Sequence, residues 1–266
     1  MSRLYTAVNS QLSYAWAEVF LELMQPGVTR LSPVVVTISQ FTDRQLPVED
    51  SGIRGAVDTL LKPKQSIRTV ASTIFPNSLW RPTAANDAQD LYDRYEKIWP
   101  RIKRCRQNAN GVYFQRFVAY RPKVDELSDL KPINQLKHIV DTYSLGNHRH
   151  SALQASVFDP TRDHSNARQR GFPCLQQVAF GAAGEELEVT GFYALQDHIT
   201  KAYGNYLGLC WLGRFIAHQL GLTLSRVTCI ASMLRLSDSK QYPKDSLLPL
   251  KQVIVDAMNP CQEQPA

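Results

Sequence analysis

Apolar residues along the chain change their spacing from one half to the other. Near the N-terminus Tyr14, Trp16, Val19, Phe20 and Leu23 recur at near-helical intervals until Pro26-Gly27, which predicts an amphipathic helix. Val34–Ile38 reads VVVTI, a β-branched run expected to form a strand. Leu91, Tyr95, Ile98 and Trp99 outline a second helix that Pro100 should stop, and Leu136, Ile139 and Val140 a third over 133–143. Beyond residue 150 the pattern turns to strands at 152–158, 174–180 and 187–193, with a turn at 181–184. A long apolar helix over 205–220 then ends at Gly221, a fitting C-terminal cap, before a β-rich stretch at 226–236. Strands and helices interleave without a repeat or a linker, so the expectation is one α/β (α+β) domain over 1–258 with a loose tail at 259–266.

Composition adds bounds. The 266 residues are 44% hydrophobic and 20% charged, as in an ordinary globular protein. No window approaches the roughly 18 apolar residues of a membrane span, and the N-terminus lacks the apolar core of a signal peptide, so a cytoplasmic location is expected. A net charge of +6 points to an anionic partner such as a nucleotide, a folate or nucleic acid. The basic residues are dispersed, however, and no aromatic-plus-basic stripe argues for nucleic acid in particular. Five cysteines, Cys105, Cys174, Cys210, Cys229 and Cys261, show neither paired nor C-x-x-C spacing, so neither a disulfide framework nor a zinc knuckle is expected. His148, His150 and His164 lack the companion carboxylates of a metal site, and no metal is expected.

Three residues of the C-terminal half carry chemistry at a fixed spacing. Cys174 follows Pro173 at a strand start, Asp197 lies twenty-three residues on at a strand end, and Asn205 eight further at the start of the long helix. This order resembles the thymidylate synthase and pyrimidine hydroxymethylase superfamily, in which a Pro-Cys, an Asp and an Asn surround a uracil ring. Gly111-Val112-Tyr113 is similar to the family's Val-Tyr-Gly loop, whose tyrosine lines the reaction centre, and 155–160 to its Ser-Ala-Trp-Asn strand end. The stretch 31–40 resembles its first strand.

The resemblance implies a mixed sheet with flanking helices around a central buried helix, a homodimer, and one-carbon transfer to C5 of a uracil-type nucleotide. It implies Cys174, Tyr113 and Asp197 as catalytic residues and 5,10-methylenetetrahydrofolate as donor. The chemistry is coherent. A thiolate adding at C6 makes C5 nucleophilic, and such a thiol needs access and a lowered pKa. An Asn side chain offers one acceptor and two donors, which match N3–H and O4 of uracil. His198, beside Asp197, is a possible tuner of the thiolate and is expected to be an exposed residue at the helix entrance. Val34, Val36, Ile38, Ala155, Val157, Val178 and Phe180 are the strand residues that could face a second subunit.

Departures are concentrated at the charged end of the ligand. The family's phosphate arginines fall at Ala194, Ser151 and Ala152, its sugar-holding His and Tyr near Arg235 and Ser237, and its proton-transfer glutamate near Ser72. Its C-terminal closing segment has no counterpart. Arg30, Arg149 and Arg168 are the candidate replacements for holding phosphate. Such losses leave a rival expectation, a homologue that keeps the pocket and serves as a nucleotide sensor or assembly partner.

Overall fold

The computed structural model describes residues 4–61, 65–108, 110–121, 131–146, 148–164, 166, 172–238 and 240–259. Its larger sheet has six strands, in the spatial order β1 (Tyr5–Val8), β3 (Val34–Ile38), β8 (Thr223–Ala231), β6 (Glu186–Tyr193), β5 (Leu175–Ala183) and β4 (Gln154–Ser156). The sheet is mixed: β1 and β3 run parallel, as do β6 and β8, while β3–β8, β5–β6 and β4–β5 are antiparallel. A second, three-stranded sheet joins β2 (Arg30–Leu31), β9 (Leu234–Arg235) and β7 (Gln196–Asp197).

Strand alternation gives the large sheet a buried face and an open one. In β3, Val34, Val36 and Ile38 are buried while Val35 and Thr37 are half-buried. The buried face is covered by α1 (Leu12–Leu23) and α8 (Tyr203–Leu220). Helix α8 is buried almost all round, as a helix enclosed between layers must be. Its outer side meets α3 (Ile67–Ile74), and glycines permit the close approach: a Cβ at Gly208 would lie 2.8 Å from the Ala71 carbonyl oxygen. Gly221 ends α8 in the left-handed conformation, φ 69°, with its N–H and that of Leu222 turned back on the last helical carbonyls.

Several boundaries differ from the expectation. The strand at 152–158 is reduced to Gln154–Ser156, after a short 3₁₀ turn at His150–Ala152. The turn at 181–184 is tighter, because β5 runs on to Ala183 and only Gly184, φ 60°, and Glu185 separate it from β6. The stretch at 226–236 is two strands, β8 and β9, in different sheets. Pro100 does not stop α4 (Asp87–Lys103), since a proline in the last turn removes only one helical hydrogen bond and Arg101 and Lys103 favour the C-terminal end of the dipole. The third helix is α6 (Gln135–Ser144), capped by the Asn134 carboxamide, which accepts from Lys137 N at 2.9 Å. The sequence pattern did not predict α2 (Ser51–Leu60), α3 or α9 (Leu248–Met258). Most of the tail expected at 259–266 lies outside the described residues.

The residues expected to face a second subunit are covered within the chain. Val34, Val36, Ile38, Ala155, Val157, Val178 and Phe180 are at most 3% exposed, because they form the face packed under the helices. The opposite face carries Val35, Ile230 and Phe192 in one row across β3, β8 and β6, with Thr37, Thr228 and Thr190 beside them.

Candidate functional site

The hairpin β5–β6 fixes the position of Cys174. Its carbonyl oxygen accepts from Ala194 N at 3.0 Å and from Gln176 Nε2 at 3.1 Å, so the residue is tied to the end of β6 and to its own strand. The thiol is half-buried, whereas Cys210 and Cys229 are fully buried and Cys105 is exposed. Cys261 lies outside the described residues.

Tyr113 reaches the same place from α5 (Tyr113–Val118). Its ring lies 5.2 Å from that of Phe172, two residues before Cys174. Gly111, at φ 133°, makes room for this contact: a Cβ there would sit 2.6 Å from the Phe172 ring. Burial pushes the Tyr113 phenol above its ordinary range, the Cys174 charge adds to that, and backbone hydrogen bonds at Leu175 and Cys174 pull it partly back. The phenol is therefore a neutral donor, not a base.

Beneath these groups Arg116 of α5 pairs with Asp163, Nη2 to Oδ1 at 2.8 Å, with side chains only 5% and 0% exposed. The guanidinium also donates to the Val157 carbonyl at 3.3 Å and lies 5.4 Å from the Phe172 ring centroid. Asp163 Oδ2 accepts from Asp159 N at 2.9 Å, at the start of α7 (Pro160–Asp163). One buried ion pair thus ties the Tyr113 helix to α7, with the Phe172 ring packed against its guanidinium.

Asp197 closes the site from β7. Its Oδ1 accepts from Thr200 N at 3.0 Å and Thr200 Oγ1 at 2.8 Å, capping the π-helical turn His198–Ala202 that leads into α8. Its Oδ2 lies 3.6 Å from Arg235 Nε. Lys201 extends from that turn and reaches solvent, yet burial of its ammonium lowers its pKa, opposed by the charges of Asp197 and Cys174. At Cys174 burial dominates and pushes the thiol up; Lys201 and Arg235 pull it down, and Asp197 adds to the rise. The resting sulfur is a protonated thiol, the reverse of the low-pKa thiol expected from the sequence. Desolvation outweighs two nearby cations.

Asn205 sits in the first turn of α8, 4% exposed. Tyr193, at the end of β6, is electrostatically coupled to Cys174 and Tyr113, and its buried hydroxyl lacks a partner among the described residues. An unpaired buried hydroxyl of this kind costs roughly 1–3 kcal/mol, which a bound polar ligand would relieve.

His198 is not the exposed histidine expected. It is fully buried, stacked on Trp16 at 4.6 Å, with Nε2 3.1 Å from the Trp16 carbonyl oxygen. That contact requires the proton on Nε2 and leaves Nδ1 without a partner among the described residues. Burial lowers its pKa to about 3, so it is neutral and does not act on the thiol. Its folded pKa lies below the unfolded value of 6.5, so acidification protonates the unfolded chain first. Stability from this residue is complete above about pH 6.5 and falls toward pH 3, by about 2 kcal/mol at pH 5. Urea denaturation at pH 7.5 and pH 5 checks this: His198→Gln is expected to shrink the difference between the two by about that amount.

Of the other expected residues, Arg30 is exposed on β2 opposite Arg235, and Arg149 is exposed just before the His150 turn. Arg168 lies outside the described residues. Ser72, where the proton-transfer glutamate falls, donates its hydroxyl to the Arg68 carbonyl at 2.8 Å within its own helix. Neither a carboxylate nor a free hydroxyl is offered there, so this position does not fit a folate-dependent proton transfer. The sequence reading missed Lys201 and Tyr193; the i, i+4 spacing of Lys201 from Asp197 was its one available signal. Among the described residues no group of His, Cys, Asp and Glu is arranged to hold a metal ion, and no helix is long and apolar enough to cross a membrane. No protein-family model matches the chain, and no curated protein matches it.

Proposed function

We propose that the chain binds a uracil-type nucleotide and activates its C5 carbon by covalent addition of Cys174, the acceptor half of a thymidylate synthase-like one-carbon transfer. The observation that supports this most is the half-buried Cys174 thiol held within electrostatic reach of Tyr113, Asp197 and Lys201, with the buried Tyr193 hydroxyl unpartnered among the described residues. The Asn205 oxygen accepts from N3–H and its amide donates to O4. Cys174 loses its proton to solvent and adds to C6, and the ring electrons move to C5 and O4 as an enolate. C5 then takes an electrophile or a proton, and loss of the original C5 hydrogen expels the thiolate and restores the ring. Tyr113, held protonated, donates to the developing charge.

Calorimetry tests the base assignment. The wild type is expected to prefer deoxyuridylate to deoxycytidylate by roughly ten- to a hundredfold, the cost of an unmatched buried amide. Asn205→Asp is expected to reverse the order, because a carboxylate accepts from the cytosine amino group. Unchanged preference in that variant would remove Asn205 from the base.

A second reading has its own support in Ser72: with no titratable group there, a nucleotide-binding sensor or assembly protein would bind without turnover. In either reading we place a homodimer contact on the open sheet face, where Val35, Ile230 and Phe192 form an apolar row. Sedimentation is expected to give a dimer at micromolar concentration and a monomer for Ile230→Glu. A wild-type monomer would refute it.

A further inference from the structure

We infer that the C-terminal end of α4 and the turn after it form a docking strip for the phosphate backbone of nucleic acid. Most cations of the chain are scattered, but Lys97, Arg101, Lys103, Arg104 and Arg106 fall within one short stretch, and all of them are exposed. Residues three and four apart share a helix face, so Lys97, Arg101 and Arg104 stand in one row. Arg104, at the helix end, keeps helical backbone angles, φ −68° and ψ −18°. At a rise of 1.5 Å per residue the row is about 10 Å long. The 3₁₀ turn Arg106–Asn108 carries Arg106 on past it.

Elsewhere the helices supply their cations with a carboxylate one turn away. Arg54 pairs with Asp58 at 2.9 Å, Arg94 with Asp90 at 2.8 Å and Lys137 with Asp141 at 2.7 Å. The stretch 97–106 contains no carboxylate, and Asp93, one turn before Lys97, accepts from Gln89 Nε2 at 2.7 Å. Among the described residues none of the five cations has an ion-pair partner. The helix dipole favours cations in the last turn, which accounts for Arg101 and Lys103 and leaves Lys97 and Arg106 without that reason.

The apolar side of α4 is turned inward: Leu91 and Tyr95 are buried, and the Tyr95 ring lies 4.7 Å from Phe114 and 6.1 Å from Trp99. The strip therefore lacks the apolar face with which an amphipathic helix enters a bilayer. Three of its cations are arginines, whose planar forks match phosphate oxygens. Contacts of this kind hold the backbone without reading base sequence.

The inference rests on neither Cys174 nor the base assignment. Fluorescence anisotropy with a labelled duplex of about 20 base pairs, from about 50 to 200 mM salt, tests it. The wild type is expected to show log K falling against log salt with a slope of about −4, and Lys97→Gln/Arg101→Gln/Arg104→Gln a slope of about −1 with affinity at least about tenfold lower. Arg44→Gln/Arg68→Gln/Arg81→Gln removes the same charge from exposed residues elsewhere and should change affinity less than about twofold. Cys105, exposed between Arg104 and Arg106, reports locally: bound duplex should slow its alkylation by neutral iodoacetamide and leave Cys174 unaffected. Absence of binding at low salt, equal losses in the two variants, or an unprotected Cys105 would overturn the strip. Binding to phosphatidylserine vesicles that depends on Lys97, Arg101 and Arg104, with none to duplex, would overturn the assignment to nucleic acid.

Discussion

Cys174→Ser is expected to lower hydrogen exchange at C5 of bound deoxyuridylate on the order of 10³-fold or more, while changing affinity for the nucleotide only slightly. C5–H of a uracil does not exchange appreciably unless a nucleophile saturates the C5–C6 bond, and a serine hydroxyl is a far weaker acid and nucleophile than a thiol. Tyr113 is too weak an acid to serve as its conjugate base under ordinary conditions, and His198 is turned away against Trp16. Because burial holds the Cys174 thiol protonated, wild-type exchange should climb with pH through the neutral range and above. Deuterium incorporation measured against pH for both proteins checks the prediction. A flat profile in the wild type, or exchange retained by the serine variant, would remove Cys174 from the chemistry.

Asp163→Ala is expected to cost about 3–5 kcal/mol of stability, measured by urea denaturation, because it strips the buried Arg116 guanidinium of its directly bonded carboxylate. The Val157 carbonyl and the Phe172 ring do not replace a paired carboxylate, and the oxygens of nearby Asp159 are engaged by Tyr120 and Thr161. Asp159 N also loses its acceptor. Replacing both partners by apolar residues of similar volume, Arg116→Met/Asp163→Leu, should cost clearly less than the single change, since no buried charge is then stranded. Equal losses would mean that packing, not charge, sets the value of the pair.

The sequence made some of this plain and hid the rest for physical reasons. The helix over 203–220 and the strands beside it stand out because one is apolar on every side and the others alternate. Helix α3 carries Ile67, Val70, Ala71 and Ile74 on one face behind a Ser66 cap, a readable signal masked by its many β-branched residues. Spacing named Cys174, Asp197 and Asn205, but spacing carries no information about desolvation. It therefore gave the thiol a lowered pKa where burial raises it, and gave His198 an exposed setting where Trp16 covers it. The Arg30–Arg235 pairing was not legible at all, since it depends on the register of two two-residue strands some two hundred residues apart. The buried Arg116–Asp163 pair likewise depends on tertiary contact between α5 and α7.

The most direct test of Cys174 as a nucleophile toward the pyrimidine is capture of the adduct itself. In 5-nitro-deoxyuridylate the nitro group takes up the negative charge generated at C5, so the product of thiolate addition at C6 persists. After incubation with the wild-type chain and gentle denaturation, intact-mass and peptide analysis should find one nucleotide on each chain, attached to the peptide that contains Cys174. Binding of the analogue without any adduct, or an adduct on Cys105, Cys210, Cys229 or Cys261 in place of Cys174, would contradict the account.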